Sequence, residues 1–266
     1  MKAGLCARRP DPWPGAGLVA VSTDVYKRQH RSDLKFVQPG ATDLTVHDVE
    51  WEGRPFKSPI YYGLRATRWR GGLSPFGHML DFTHSKAIAR PAQTVRFSGT
   101  RNGRAFPESA TVSATFKHLE FSHGHNMLTG NGLMRLGSLS RQLSPYVGAG
   151  VGVNLPHTEI QFIGDTERTY EYQYTGPTGQ VLLGIEMRLP RVVLFVEYKL
   201  TVSLYDAPLT GRDNKASFGY SDFLVQLAAW WRGEKPKYGS VRTWLVSHQA
   251  IGGAGPRWAG TGAAPR

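Results

Sequence analysis

The sequence predicts an all-β chain, an antiparallel up-and-down transmembrane β-barrel of the eight-stranded type. Three observations carry that reading. Long segments alternate with a period of two, which marks strands, because a helix repeats at about 3.6 residues. One face of these segments is branched and apolar, the other glycine, amide or charge, over the roughly ten residues a tilted strand needs to cross a bilayer. Connections also alternate in size: 71–76, 137–143 and 188–191 are short, whereas 87–115, 156–168 and 203–217 are long. Short turns at one rim and long loops at the other are the habit of outer-membrane barrels.

The 266 residues suffice for one closed barrel. Hydrophobic content is 40% and no apolar run approaches the length of a transmembrane helix. The net charge of +12 lies mostly at the ends: residues 1–29 carry +3, residues 232–266 carry +5, and the remainder +4. No nucleic-acid partner is expected from so modest a central charge. Cys6 is the only cysteine, so no internal disulfide can form, and no zinc-type spacing occurs.

Residues 1–29 do not read as a signal peptide, because GLVAV is too short for an apolar core and no small-residue cleavage site follows. VSTDVYKRQ resembles a translated cloning adaptor, so this segment is expected to be non-native or unstructured, with the native first strand missing. The barrel domain is placed at 30–231, opening with a loop through Pro39-Gly40 and an alternating stretch at 43–51. Ile60 to Arg70 is a strand with Tyr62, Leu64 and Ala66 opposite Gly63, Arg65 and Thr67. Gly77 to Lys86 sets Leu80 and Phe82 against Met79, Asp81 and Thr83. Residues 87–115 read as a long loop.

Phe116 to Leu155 holds the clearest pair of strands. Within it, Val147, Ala149, Val151 and Val153 face away from Tyr146, Gly148, Gly150, Gly152 and Asn154. Tyr170 to Met187 and Val193 to Leu200 continue the pattern, the latter with Phe195, Glu197 and Lys199 inside. Ser221 to Trp231 is read as the closing strand. The tail 232–266 reads as disordered or non-native. That gives seven clear strands, one short of the even number usual for bacterial barrels.

FKHLEFSHGHNMLTGN, SPYVGAGVGVNLPHTE, TYEYQYTGPTGQ, FVEYKL, WEGRPFKSPIYYGLRAT and LDFTHSK resemble the rhizobial lipid A oxidases, a family of small outer-membrane barrels. The resemblance covers about His30 to Trp231. It implies an eight-stranded barrel in the cell outer membrane. It also implies oxygen-dependent oxidation of the proximal glucosamine of lipid A to 2-aminogluconate, with dioxygen as co-substrate. Lipid A or lipopolysaccharide would be the partner and the protein monomeric. The alternative is a non-enzymatic, structural outer-membrane barrel.

Orientation gathers seven of the nine histidines near the outer rim: His30, His47, His84, His118, His123, His125 and His157. Imidazoles and carboxylates at a concave mouth suit a divalent metal or a proton-transfer site. The candidate catalytic residues are His123, His157, Glu120, Glu159, His84 and Lys86, of which THSK and PHTE match the family pattern. The metal candidates are His123, His125 and His157, with His123 and His125 expected on one strand face. Arg90, Arg96, Arg101 and Arg104 form a basic set for lipid phosphate. Inside the barrel, Arg65, Asp81, Arg135, Glu186, Glu197 and Lys199 are expected to neutralise one another. The glycines of VGAGVGV follow the strand period with no helix after them, which excludes a dinucleotide loop.

Overall fold

The period-two segments pair into a ring. The computed structural model describes residues 17–58, 60–71, 74–211, 227–229, 231–234 and 238–258. In chain order the strands are β1 (Gly17–Gln29), β2 (Ser32–Gln38), β3 (Thr42–Val49), β4 (Trp51–Glu52), β5 (Tyr62–Trp69) and β6 (Phe76–Ala89). There follow β7 (Thr94–Arg101), β8 (Arg104–Ala105), β9 (Ser109–Thr111), the single turn α1 (Val112–Thr115) and β10 (Phe116–Arg135). The remainder are β11 (Leu143–Asn154), β12 (His157–Phe162), β13 (Thr169–Tyr172), β14 (Gly176–Arg188), β15 (Val192–Pro208) and β16 (Ser240–Trp258). Strands β1, β5, β6, β10, β11, β14, β15 and β16 are antiparallel neighbours in that order, and β16 returns to β1. Eight strands therefore close.

This closure corrects three expectations. Residues 17–29 are not a loose leader: they form β1, paired from Gly17↔Trp258 to Gln29↔Ser247 on one side and with β5 on the other. The first strand is thus present, and its alternation of Val19 and Val21 outside with Ala20 and Ser22 inside was readable. The tail expected to be disordered holds the last strand, whose many small residues (AIGGAG) hid the pattern. Of the segment expected to close the barrel, 221–226 and 230 lie outside the described residues, while 227–229 and 231 are helical.

The wall has an inverted polarity. Val21, Leu64, Leu80, Val151, Val181, Leu183, Val196 and their neighbours point outward and exposed. The lumen holds the six charges foreseen for it. Arg65 grips Glu197 through two hydrogen bonds of 3.1 and 2.9 Å and stands 3.2 Å from Asp81. Lys199 binds Asp81, and the Tyr146 hydroxyl donates to Glu197 at 2.8 Å. Arg135 binds Glu186 at 2.7 Å and stacks on Trp69. An apolar exterior around an ion-paired polar interior is what a bilayer-spanning barrel requires. The lumen is full: the space left between Arg65, Tyr146 and Phe195 is about 10 Å³. Glycine at 150 and 152 permits this filling, since a Cβ there would lie 2.1 Å from Asn131 Oδ1 or 1.9 Å from the Leu128 carbonyl.

Beyond the apolar belt the chain builds a head on the long-loop side. β16 pairs with β2, β2 with β3, and β3 with β7. β12 pairs with the outer end of β10 and with β13. These elements enclose an apolar core that includes Leu34, Phe36, Leu44, Val46, Phe97, Phe116, Phe121, Ile160, Phe162 and Leu245. The segments 87–115 and 156–168, expected as loops, therefore hold strands β7, β8, β9 and β12, and the first ends in α1 with Thr111 accepting from the Ala114 amide. Their short, Gly- and Arg-interrupted runs gave too few alternations to register as strands.

Candidate functional site

The acids predicted to act together do meet, but on the outer wall of the head instead of in its mouth. Residues directly opposite in an antiparallel pair share a face. Glu120 of β10 opposes Glu159 of β12, and on the next strand pair Glu159 opposes Tyr170 while His157 opposes Tyr172. The intervening Leu119, Phe121 and Ile160 point the other way, into the core. The His118 Nδ1 lies 3.0 Å from Glu159 Oε1 and 3.6 Å from Glu120 Oε1. Arg168 also binds Glu159 and stacks 4.2 Å from the Tyr170 ring centroid.

The same face continues toward the membrane. His157 is buried with its ring set edge-on between Tyr170 and Tyr172, at centroid distances of 4.3 and 4.8 Å. Burial raises the Tyr172 phenol above its usual pKa, and Tyr62 and Tyr170 add to the shift, so it stays protonated. Tyr62 stacks on His84 at 4.6 Å, and His84 Nδ1 is hydrogen-bonded to Asn126 Oδ1 at 2.8 Å. The result is a continuous strip of imidazole, phenol and carboxylate that starts where the apolar belt ends.

The other predicted residues are placed differently. Lys86 is buried beside this strip, but its ammonium donates to the carbonyls of Lys57 and Ser58 at 2.6 and 3.1 Å, pinning the loop before β5. His125 points inward, its Nδ1 hydrogen-bonded to the Tyr205 hydroxyl at 2.6 Å, whereas His157 lies on the outer face. The side chain of His123 lies outside the described residues. His125 and His157 therefore do not converge. Strand phase alone separates them: β10 carries two extra residues between Phe121↔Ala87 and His125↔Ser85, with Gly124 at φ +150, and an even insertion leaves His125 on the inward phase of Phe121. Of the four arginines, Arg90 pairs with Glu50, Arg96 with Asp48 and Arg101 with Asp165, while Arg104 is exposed. Three of the four thus already hold a carboxylate.

Among the described residues, one trio of possible metal ligands comes together: His118, Glu120 and Glu159, with donor atoms within 4.8 Å of one another. One imidazole and two carboxylates suit a hard or borderline divalent cation, although Arg168 already occupies one Glu159 oxygen. Sequence reasoning named both glutamates and passed over His118 as a partner. The His-x-Glu spacing was the available signal, since residues two apart on a strand share a face. Arg168 and Asn126 carried no such signal.

No protein family matches this sequence, and no curated protein matches it. Among solved structures the chain is similar to neisserial surface protein A, at 10% identity and a TM-score of 0.39 over 92% of this chain and 97% of that one. It is similar to Ail, the attachment invasion locus protein of Yersinia pestis, at 11% identity and 0.35 over 92% and 99%. It is also similar to the outer membrane protein OprG of Pseudomonas aeruginosa, at 10% identity and 0.39 over 93% and 98%. The fold itself rests on the chain's own hydrogen-bonded ring.

Proposed function

We propose that the chain is an outer-membrane β-barrel that oxidises the proximal glucosamine of lipid A to 2-aminogluconate with dioxygen, on the outer-wall strip. The observation that carries this reading is position. His118, Glu120, Tyr170 and Tyr172 are half-buried on the face turned away from the head core, just beyond the apolar belt, with Glu159 and His157 buried beneath them. A lipid whose acyl chains lie against the belt presents its sugar at that height, without leaving the membrane. Tyrosines 170 and 172 offer ring faces to a pyranose, and Arg168 can pair with an anionic substituent.

The oxidation removes the anomeric C–H and O–H of a free hemiacetal. A proton goes to the protein and two electrons with the second proton go to dioxygen; hydration of the resulting lactone then gives the acid, a net gain of one oxygen. Glu159, held by His118 and Arg168, is the base that takes the hydroxyl proton. A divalent redox metal bound by His118, Glu120 and Glu159 would supply the electron path to dioxygen. The second reading is a structural barrel without catalysis. It is favoured by the saturation of Glu159, whose partners would serve equally to pin β12 against β10.

The test is mass spectrometry of lipid A from a host that carries a free anomeric hydroxyl and expresses the protein in its outer membrane. The oxidase reading expects one added oxygen on the proximal sugar, and Glu159→Gln should lower its yield about a hundredfold or more. Heat-modifiable migration on gels confirms that the variant barrel is folded. Unmodified lipid A beside folded wild-type protein would select the structural reading.

A further inference from the structure

A second polar cluster lies on the outer wall, where β15, β16 and β1 adjoin, on the side of β5 away from β6 and β10. His30 directly follows β1 and remains beside β16, its amide donating to the Val246 carbonyl at 2.9 Å. Its Nε2 faces the Nε2 of His248 at 2.6 Å. The other ring nitrogen of His248 is hydrogen-bonded to the Tyr198 hydroxyl. Arg28 opposes His248 in the β1–β16 register, so the two share the outward face. Arg28 is exposed and makes no ion pair among the described residues.

We propose that Arg28, His30 and His248 form a binding site for a phosphate monoester at the level of the lipid headgroups. Depth fixes the level. Tyr26, Tyr198 and Trp244 are exposed around the cluster, and Val21 and Val196 are exposed below it, the order of an interfacial aromatic girdle above an apolar belt. Charge fixes the ligand. On the described side chains of this face the nearest carboxylate, Asp206, is bound to Arg242 farther along β16, and Glu50 is bound to Arg31 and Arg90. Among the described side chains no carboxylate pairs with Arg28, which also disfavours a metal cation between the imidazoles.

The two Nε2 atoms set the mode of binding. With both rings neutral, a single proton fills the gap between them. A second proton in the gap turns one ring into imidazolium and sets two N–H groups against each other unless an anion lies against both. A phosphate oxygen accepts from both N–H groups while the Arg28 fork takes a second oxygen, the charge-assisted geometry that guanidinium and phosphate favour. Binding is thereby coupled to proton uptake. The proposal rests on the barrel spanning a bilayer and is independent of any chemistry at the β10–β12 strip.

Native mass spectrometry of the folded protein in a neutral detergent tests it, with phosphatidic acid and diacylglycerol of the same chains as probes. Phosphatidic acid should be retained about tenfold or more over diacylglycerol at pH 6, and less so at pH 8. Arg28→Gln should lower retention at both pH values, whereas His248→Gln should erase the pH dependence. Excess inorganic phosphate distinguishes the source: displacement assigns the site to phosphate in general, and an undisplaced adduct assigns it to a lipid headgroup. Equal retention of the two lipids, or unchanged retention in both variants, would overturn the site. Heat-modifiable migration of each variant separates that result from failure of the barrel to fold.

Discussion

Arg65 is the residue on which the lumen turns. Its guanidinium binds Glu197, approaches Asp81 and stacks on Phe195 at 4.1 Å, all within a water-poor interior. Replacing it with Met leaves two buried carboxylates and one ammonium. The expected cost is about 3–5 kcal/mol, read as a lower urea midpoint for the folded barrel in detergent. A change within about 1 kcal/mol would mean that water reaches these carboxylates and that the network is not a sealed filling. Exchanging Arg65, Asp81, Glu197 and Lys199 together for apolar residues of matching volume should cost less than the single change. These charges were legible in the sequence because strict alternation around Arg65, Asp81 and Glu197 forced them inward. His125 and His157 were grouped wrongly because strand phase was not applied to them: His125 keeps the inward phase of Phe121 even across the local departure from one-to-one pairing, while His157 shares the outward phase of Val151.

At the scale of the element, that departure is the bulge in β10. Against β6 it inserts two residues between the Phe121↔Ala87 and His125↔Ser85 pairs. Against the other neighbour it also inserts two, between Glu120↔Glu159 and Met127↔Asn154. The same excess on both sides means that deleting His123 and Gly124 together restores register with both neighbours. That variant should still give a heat-modifiable barrel. Deleting Gly124 alone moves every later side chain of β10 to the wrong face, Asn131 and Leu133 among them, and should abolish folding. If both deletions fold equally well, facing in β10 is not set by register. The bulge has a sequence sign, a glycine between two histidines, but glycine also belongs to the lumen face of neighbouring β11 and so could not be singled out. The head strands were obscured for a related reason: β7, β8 and β9 are short, and runs of two to eight residues leave little periodicity to detect.

At the scale of the molecule, barrel class and lumen facing followed from sequence, while the first and last strands did not. Composition misled at both ends: β1 ends in a basic run, YKRQ, and β16 in a glycine-rich one, yet each supplies an edge that the other completes. A chain limited to 30–231 lacks both and leaves β5 and β15 with open backbone edges in hydrocarbon, a heavy cost. No heat-modifiable species is expected from it in membranes, and finding one would show that another segment can close the wall. The seam has a further consequence, in time. The β1–β16 seam joins the first strand of the ring to the last, so the ring stays open until β16 has been made. Until then β1 carries an unsatisfied edge able to template the wrong partner. Slow, long-range closure of this kind exposes a chain to aggregation during assembly. The edge of β1 that faces β16 is therefore open for the whole interval between the making of the two strands, and an assembly route that shields it over that interval suits this fold.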